Sequence, residues 1–438
     1  MDAKQNTASS KSSKSRKAAS KRPDVAAGRR LEGFMSHLLD RAADEDVALY
    51  DKSALARAAE LAEQALMRHC RGDSIISIDT DPAVTLDGKP LTVVTVVNDN
   101  MPFLFDSILG EVTDAAGQPY FVTHPVLTVE HDRNGVEKLS AEAASKSDHG
   151  ADKVSVIHIH VSRLSAEQAE TLRNRLDKLV KQIRTAVHDW KPMLARLDQA
   201  VSQFRYTTMP LDKRAVDEAI AFLEWLRDDN FTFLGMREFK YSGTEKSGML
   251  TRIKEPGLGI LSDSDVTVLR RDTHSDPTAS EEVRAFLYGP DPLLVTKANA
   301  KSAVHRRAYL DYIGVKIFSA KGALAGELRI VGLFTSTAYT RSVMKIPYLR
   351  SKAQTVLAKS GFDSSDHSGK ALINVLESYP RDELFQVSVP VLRKHADAIL
   401  GLLDRPRVRA LVRVDQFDRF VSVIVFIPRD HYDSQIRE

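Results

Sequence analysis

The sequence predicts an α+β protein of several domains, and three observations carry that expectation. At 438 residues the chain exceeds what one hydrophobic core organises, so roughly two to four domains are expected. Short β-branched runs alternate along it with apolar stripes at helical spacing. One stretch, Leu91 to Asp132, holds a strand, a loop, a helix and a returning strand in about forty residues. In order, Phe34–Leu49 and Leu55–Met67 read as helices, and Ser74–Ile78 with an Asp87-Gly88 turn leads into the β-branched strand Leu91–Val97. Asn98-Asp99-Asn100 stops that strand with side chains suited to turns and caps. Pro102 then suits a first helical turn, Phe105, Ile108, Leu109 and Val112 draw an apolar stripe, and Gly117 ends the helix. Tyr120–Val129 is again β-rich. Val154–Val161 and the stripe Leu172, Leu176, Leu179, Ile183 and Val187 repeat the strand-helix unit, with Ser165 and Gln168 as a capping box. This order predicts a ferredoxin-like βαββαβ domain with two helices on one face of an antiparallel sheet.

Residues 91–192 resemble an ACT domain. In that family the loop from the first strand into the first helix meets small effectors, commonly amino acids, often across a subunit interface. The resemblance places an effector site at Asn98, Asp99, Asn100 and Met101. Amide N–H groups at a helix start suit a carboxylate, and the Asp99 carboxylate suits an ammonium group. Capping and turning are the ordinary work of such residues, and that reading stands beside the functional one.

The stripe Met193, Leu197, Val201 and Phe204 predicts a connecting helix, Pro210 punctuates it, and Val216, Ile220, Leu223 and Leu226 predict another, so residues 193–230 link two units. Residues 231–344 read as a mixed or antiparallel sheet domain, PAS-like or a second ACT-like unit, with strands at Phe231–Tyr241, Leu258–Leu261, Leu293–Lys297, Tyr309–Phe318 and Glu327–Phe334. A third α+β unit, ACT-like, is expected over 345–438. Helices near Tyr348–Ser360 and Ala371–Glu377 are followed there by the pattern Val391, Leu392, Ile399, Leu400 and Leu403. A hairpin then joins Arg409–Val414 to Phe420–Ile427. The polar stretch His431–Glu438 carries no stop signal, and the reading is of a unit truncated at its C-terminus.

The net charge of +3 misleads, because residues 1–30 hold nine basic against two acidic side chains and the rest carries about −4. That Ser/Lys/Ala tail reads as disordered, has no aromatic residue to stack on bases, and leaves nucleic acid unexpected as a partner. Residues 31–90 form a helical segment ahead of the first domain. The single cysteine, Cys70, excludes an internal disulfide and a cysteine zinc cage. No apolar run approaches the roughly 20 residues that cross a bilayer, so no membrane association is expected and the cytoplasm is the expected home.

Nucleotide and metal motifs do not survive inspection. Gly257-Leu258-Gly259 lacks an acidic partner after a βαβ unit and is a turn, and Gly369-Lys370 lacks the earlier glycine of a P-loop. His158 and His160 share one strand face, and His124 could add a third nitrogen, but no carboxylate or cysteine completes a set. These histidines read as structural or solvent-facing. His305-Arg306-Arg307, with Asp311 four residues on, reads as an exposed polar strand entry rather than an anion clamp.

Four segments together resemble one family: LTVVTVVNDNMPFLFDS from Leu91, GELRIVGLFTSTAYT over Gly326–Thr340, KALINVLESYPRDELFQ over Lys370–Gln386, and RPRVRALVRVDQFDRFVSVIVFIPRDHY over Arg405–Tyr432. All resemble the amino-terminal region of the large, ACT-containing NAD-dependent glutamate dehydrogenases of bacteria, over about residues 31–438. The resemblance implies a regulatory and assembly region of an enzyme that oxidises L-glutamate to 2-oxoglutarate and ammonia with NAD. It also implies a homo-oligomer. The catalytic region would lie downstream, so no catalytic residue and no NAD-binding residue is carried onto this chain, and NAD is the cofactor of the full-length enzyme only. The alternative is a stand-alone amino-acid-binding module acting through partner proteins.

Overall fold

The computed structural model describes residues 30–139, 152–263, 266, 268, 279–417 and 420–432. The expected basic tail falls outside the described residues except for Arg30, as do residues 433–438 of the expected C-terminal stretch.

The chain opens with short helices α1 (Phe34–Leu39) and α2 (Asp44–Ala48), where one helix was expected, and the longer α3 (Lys52–Met67). Strands β1 (Ser74–Asp79), β2 (Thr85–Leu86) and β3 (Lys89–Asp99) lead to α4 (Leu104–Ala116). After α4 come β4 (Phe121–Thr123), β5 (Val126–His131), β6 (Val136–Leu139), β7 (Asp152–Ser162) and α5 (Ala166–His188). The strands form an antiparallel sheet ordered β1-β3-β7-β5-β6, with β2 beside β3 and β4 beside β7.

Two features differ from the βαββαβ expectation. No strand follows the second helix; the edge beside β3 is filled instead by β1, which pairs Ser74 with Asn98 through to Asp79 with Val93. Helices also cover both faces rather than one. Val94, Val96, Ile157 and Ile159 pack toward α4 and α5, while Val97, Val154 and Val156 pack toward α1 and α3. Side chains alternate across a strand, so burial on both sides demands an unbroken apolar or hydrogen-bonded run, and β3 is buried continuously from Leu91 to Asn98. The Ser165 and Gln168 capping box forms as expected, with both reciprocal hydrogen bonds.

Helices α6 (Trp190–Tyr206) and α7 (Lys213–Trp225) carry the chain into a second sheet. Its elements are β8 (Phe231–Gly243), β9 (Gly248–Arg252), β10 (Leu258–Gly259), α8 (Glu281–Tyr288), β11 (Leu293–Lys301), β12 (Tyr309–Phe318) and β13 (Leu324–Phe334). The order is β10-β8-β13-β12-β11, with β9 beside β8, and every pairing is antiparallel. One face of this sheet shares a core with α4 and α5, through Leu234, Tyr312, Val331 and Leu333. The opposite face supports α6, α7 and a group of helices that follows: α9 (Ser336–Thr340), α10 (Leu349–Ser360), α11 (His367–Ser378), α12 (Arg381–Gln386) and α13 (Val389–Asp404). Strands β14 (Arg409–Val414) and β15 (Val421–Phe426) then form a hairpin that turns Leu411 and Ile424 into that core. The described residues from 345 onward thus contain a helical cluster built onto the second sheet and, after it, a separate two-stranded sheet.

Gly259 joins the first unit to the second. Its φ of 58 is left-handed, its N–H donates to Asp189 Oδ2 at 2.8 Å, and a Cβ there would strike the Leu234 carbonyl oxygen. Gly259→Ala is expected to cost about 1–3 kcal/mol of stability, because both the dihedral and the contact penalise a side chain. Thermal unfolding compares the two proteins, and an unchanged midpoint would show that the turn adapts freely.

Candidate functional site

The β3–α4 loop is held from three sides. Asn98 is buried, and its Oδ1 accepts hydrogen bonds from Ser74 Oγ and from Arg184 Nη2, each at 2.7 Å. Arg184 reaches in from α5 and also donates to the Gly72 and Asp73 carbonyls at 2.7 and 3.2 Å. Asp99 Oδ2 accepts from the Gly72 N–H at 2.8 Å, while Oδ1 lies 3.5 Å from His69 Nε2. Asn100 donates its N–H to the Lys153 carbonyl at 2.8 Å, and its Oδ1 accepts from Ser155 Oγ at 2.9 Å. Met101 packs its side chain into the core under α4.

None of these four residues caps the helix. The position before α4 is Phe103, at a left-handed φ of 71, and no side chain accepts from the first-turn amides. A non-glycine residue in that region costs energy that its surroundings must offset. Ser107 is part of those surroundings: its hydroxyl donates to the Phe103 carbonyl and accepts from His305 N–H at 2.8 Å. What the loop presents is therefore an uncapped helix start flanked by the exposed Asn100 and the partly exposed Asp99 carboxylate. Such a start favours negative charge.

Behind Asp99 runs a chain of titratable groups. His69 Nδ1 lies 3.2 Å from His131 Nε2, His131 Nδ1 lies 3.0 Å from Asp152 Oδ2, and Arg71 contacts the same Asp152 oxygen at 2.6 Å. Burial holds the His69 pKa below its ordinary value, and the Asp99 charge opposes that shift. Sequence reading missed Arg184, His69 and His131 here, because none sits at a spacing that marks it.

His124 does not join His158 and His160. His158 and His160 face α1–α3, buried, with Thr95 Oγ1 2.9 Å from His158 Nδ1, the two Nε2 atoms 2.9 Å apart, and Tyr50 OH 3.1 Å from His160 Nδ1. His124 lies toward α4 instead, stacked on Phe105 at 4.9 Å, with Nε2 3.2 Å from Ser155 Oγ. Opposite strand faces separate them. Among the described residues no group of three or more His, Cys, Asp or Glu side chains is arranged to hold a metal ion.

His305-Arg306-Arg307 lies just before β12, with Arg306 exposed and His305 and Arg307 partly buried. The tripeptide ties the second sheet to α4: Arg307 pairs with Glu111 and with Asp114 at 3.5 Å, and the His305 ring lies 5.1 Å from that of Phe103. Arg306 Nη2 donates to the Phe334 carbonyl at 2.5 Å, and the buried Asp311 accepts from Phe334 N–H at 3.1 Å and pairs with Lys297 at 2.7 Å.

A family model described as glutamate dehydrogenase, ACT1 domain, matches residues 34–176 and so contains the loop. Models described as glutamate dehydrogenase, helical motif 1, and glutamate dehydrogenase, ACT2 domain, match residues 346–405 and 409–438. The NAD-specific glutamate dehydrogenase of Halomonas elongata is 34% identical over 360 residues, 79% of this chain and 21% of that protein. The enzyme of the same name from Pseudomonas aeruginosa is 32% identical over 349 residues, again 79% of this chain and 21% of its own length. That of Mycobacterium tuberculosis is 27% identical over 355 residues, 80% of this chain and 19% of its own length. The chain spans about a fifth of the length of these curated relatives.

Proposed function

The chain belongs to the family of large NAD-dependent glutamate dehydrogenases, and we propose that it is the regulatory and assembly region of such an enzyme. Oxidation of L-glutamate to 2-oxoglutarate and ammonia, with NAD as hydride acceptor, would then belong to a catalytic region downstream. The observation that carries this reading is the ACT1 match over the segment that holds the β3–α4 loop. The uncapped start of α4 beside an accessible carboxylate supports it chemically. In this reading the first sheet is a ferredoxin-like unit whose fourth strand comes from β1. An amino acid binds at Asn98, Asp99, Asn100 and Met101, its carboxylate on the α4 amides and its ammonium on Asp99. Asn98 has a supporting part, since its side chain is committed to Arg184 and Ser74.

Such a ligand influences a distant region only by favouring one of two domain arrangements. The Arg307–Glu111 contact offers a route, because it ties α4 to the second sheet. Assembly as a homo-oligomer in the cytoplasm completes the proposal; no helix among the described residues is long and apolar enough to cross a membrane.

Two measurements test it. The purified 438-residue chain is expected to form no NADH from glutamate and NAD, since hydride transfer needs a nicotinamide held against the substrate. Turnover above a no-enzyme control would overturn the assignment of catalysis to another region. Calorimetry with the proteinogenic amino acids at millimolar concentration is expected to show a binding component that Asp99→Asn weakens about tenfold or more, the value of one charge-assisted hydrogen bond. A component indifferent to Asp99→Asn and to Asn100→Ala would leave the loop as a turn and the domain as a spacer.

A further inference from the structure

Apart from the β3–α4 loop, a cavity of about 480 Å³ opens between α7, the turn from α8 into β11, α10, and the segment joining α12 to α13. That volume and its position among packed units match small-molecule sites. Phe286, Pro290 and Val387 supply apolar wall, and three polar residues line it with unusual commitments: Asp291, Tyr348 and Lys352.

Lys352 Nζ donates to the carbonyls of Leu384, Phe385 and Val387 at 3.2, 2.7 and 2.9 Å. Three acceptors occupy three hydrogens, so the geometry calls for the ammonium form. Burial opposes it, pulling the pKa down to about 7. The hydrogen bonds decide in favour of the charge, and among the described residues no carboxylate lies within ion-pair distance to balance it. Tyr348 lies beneath, its ring centroid 4.6 Å from Nζ, in a left-handed φ of 68 held by a 2.9 Å hydrogen bond from its N–H to Glu218 Oε2. Its hydroxyl has no protein partner among the described residues. Asp291, exposed at the rim, likewise accepts no hydrogen bond and forms no ion pair there. An ammonium held by three carbonyls, a phenol with no hydrogen-bond partner among the described residues, and a rim carboxylate whose charge reaches both of them make a dipolar site. Backbone strain of the Tyr348 kind collects at ligand sites.

We propose that this cavity binds a small zwitterion, an α-amino acid in the simplest case, with its carboxylate toward the Tyr348 hydroxyl and the Lys352 ammonium and its ammonium toward Asp291. The walls come from α7, the second sheet and the helical cluster, so an occupant holds these three in one arrangement. The inference stands apart from the loop reading, and the same titration separates them.

The experiment is calorimetry of the 438-residue chain with each proteinogenic amino acid in the millimolar range, on the wild type, Asp99→Asn, Asp291→Asn and Tyr348→Phe. Neither the Asp291 carboxylate nor the Tyr348 hydroxyl makes a hydrogen bond among the described residues, so both variants are expected to fold, with melting temperatures close to that of the wild type. The expected result is a saturable component that persists in Asp99→Asn and weakens about tenfold or more in both Asp291→Asn and Tyr348→Phe. Propionate and ethylamine, each carrying one of the two charges, are expected not to compete for it. The proposal is overturned if no amino acid saturates, if all saturable heat vanishes in Asp99→Asn, or if Asp291→Asn and Tyr348→Phe bind as the wild type does.

Discussion

Arg329→Met is expected to lower the stability of the chain by about 3–5 kcal/mol, because it strands a buried carboxylate. Arg329 and Glu327 lie two apart on β13 and therefore project from the same face. Both are essentially inaccessible, at 2% and 0% side-chain exposure, and Arg329 Nε donates to Glu327 Oε2 at 3.0 Å. The Tyr312 hydroxyl donates to the other Glu327 oxygen, and the guanidinium sits 4.0 Å from the centroid of the Phe239 ring. Both Glu327 oxygens are thus matched in a buried layer, where an unmatched charge is costly. Removing both partners together, in Glu327→Gln with Arg329→Met, is expected to cost less than the two single losses added, since no lone charge remains. Urea titration of the three variants measures this. A single-variant loss below about 1 kcal/mol would mean that water reaches Glu327 and that the pair carries little.

Acidification from pH 7.5 to 5.5 is expected to remove about 2 kcal/mol of stability, with His158 and His160 as the main cause. Burial pulls His158 down to about 3 and His160 well below its ordinary value, and the neighbouring His158 adds to the shift at His160. The geometry agrees: two nitrogens 2.9 Å apart share one proton comfortably and two protons badly. Both rings are then neutral in the folded chain and take up protons near pH 6.5 in the unfolded one. Their contribution is complete above 6.5 and is lost as the pH falls toward the folded values, at about 1.4 kcal/mol per unit for each ring. Asp311 works in the opposite sense, because burial raises it to about 6 and folding then favours its protonated form. Over the same window that offsets about 1 kcal/mol, which two histidines exceed. His160→Gln is expected to flatten the dependence. A midpoint of urea unfolding that stays constant across the window would overturn the assignment.

Several elements were legible from local pattern alone. The run Leu91–Val97 and the stripe through Ile108 and Val112 recur as β3 and α4, and the Ser165 and Gln168 box caps α5. The β12–β13 and β14–β15 hairpins lie where glycine or polar turns interrupt β-rich runs. These features depend on neighbours a few residues away, which a sequence displays directly. A clue to the second covered face was present too, in the lack of polar alternation along β3, but a ferredoxin-like expectation with one solvated face took no account of it.

At the candidate loop the sequence supplied residue types and little of their use. Asn98, Asp99 and Asn100 were visible as a polar break between strand and helix. That Asn98 is committed to an arginine 86 residues away, and that Phe103 rather than an asparagine precedes α4, follows only from tertiary packing. Residues of the second cavity carry no sequence signal, since Asp291 lies far along the chain from Tyr348 and Lys352 at the start of α10, and the carbonyls that hold Lys352 come from yet another segment.

By itself the sequence determined the principal strands and helices, the α+β class and the family resemblance, all of which rest on local periodicity and contiguous motifs. Tertiary structure decided that β1 closes the edge of the first sheet, that helices cover both its faces, that His158 and His160 are buried away from His124, and that Arg307 ties the second sheet to α4 across 196 residues. The reason is physical: periodicity states which face of a segment is apolar, whereas the surface that buries it, and the charge that satisfies a polar group on it, are chosen by long-range contacts.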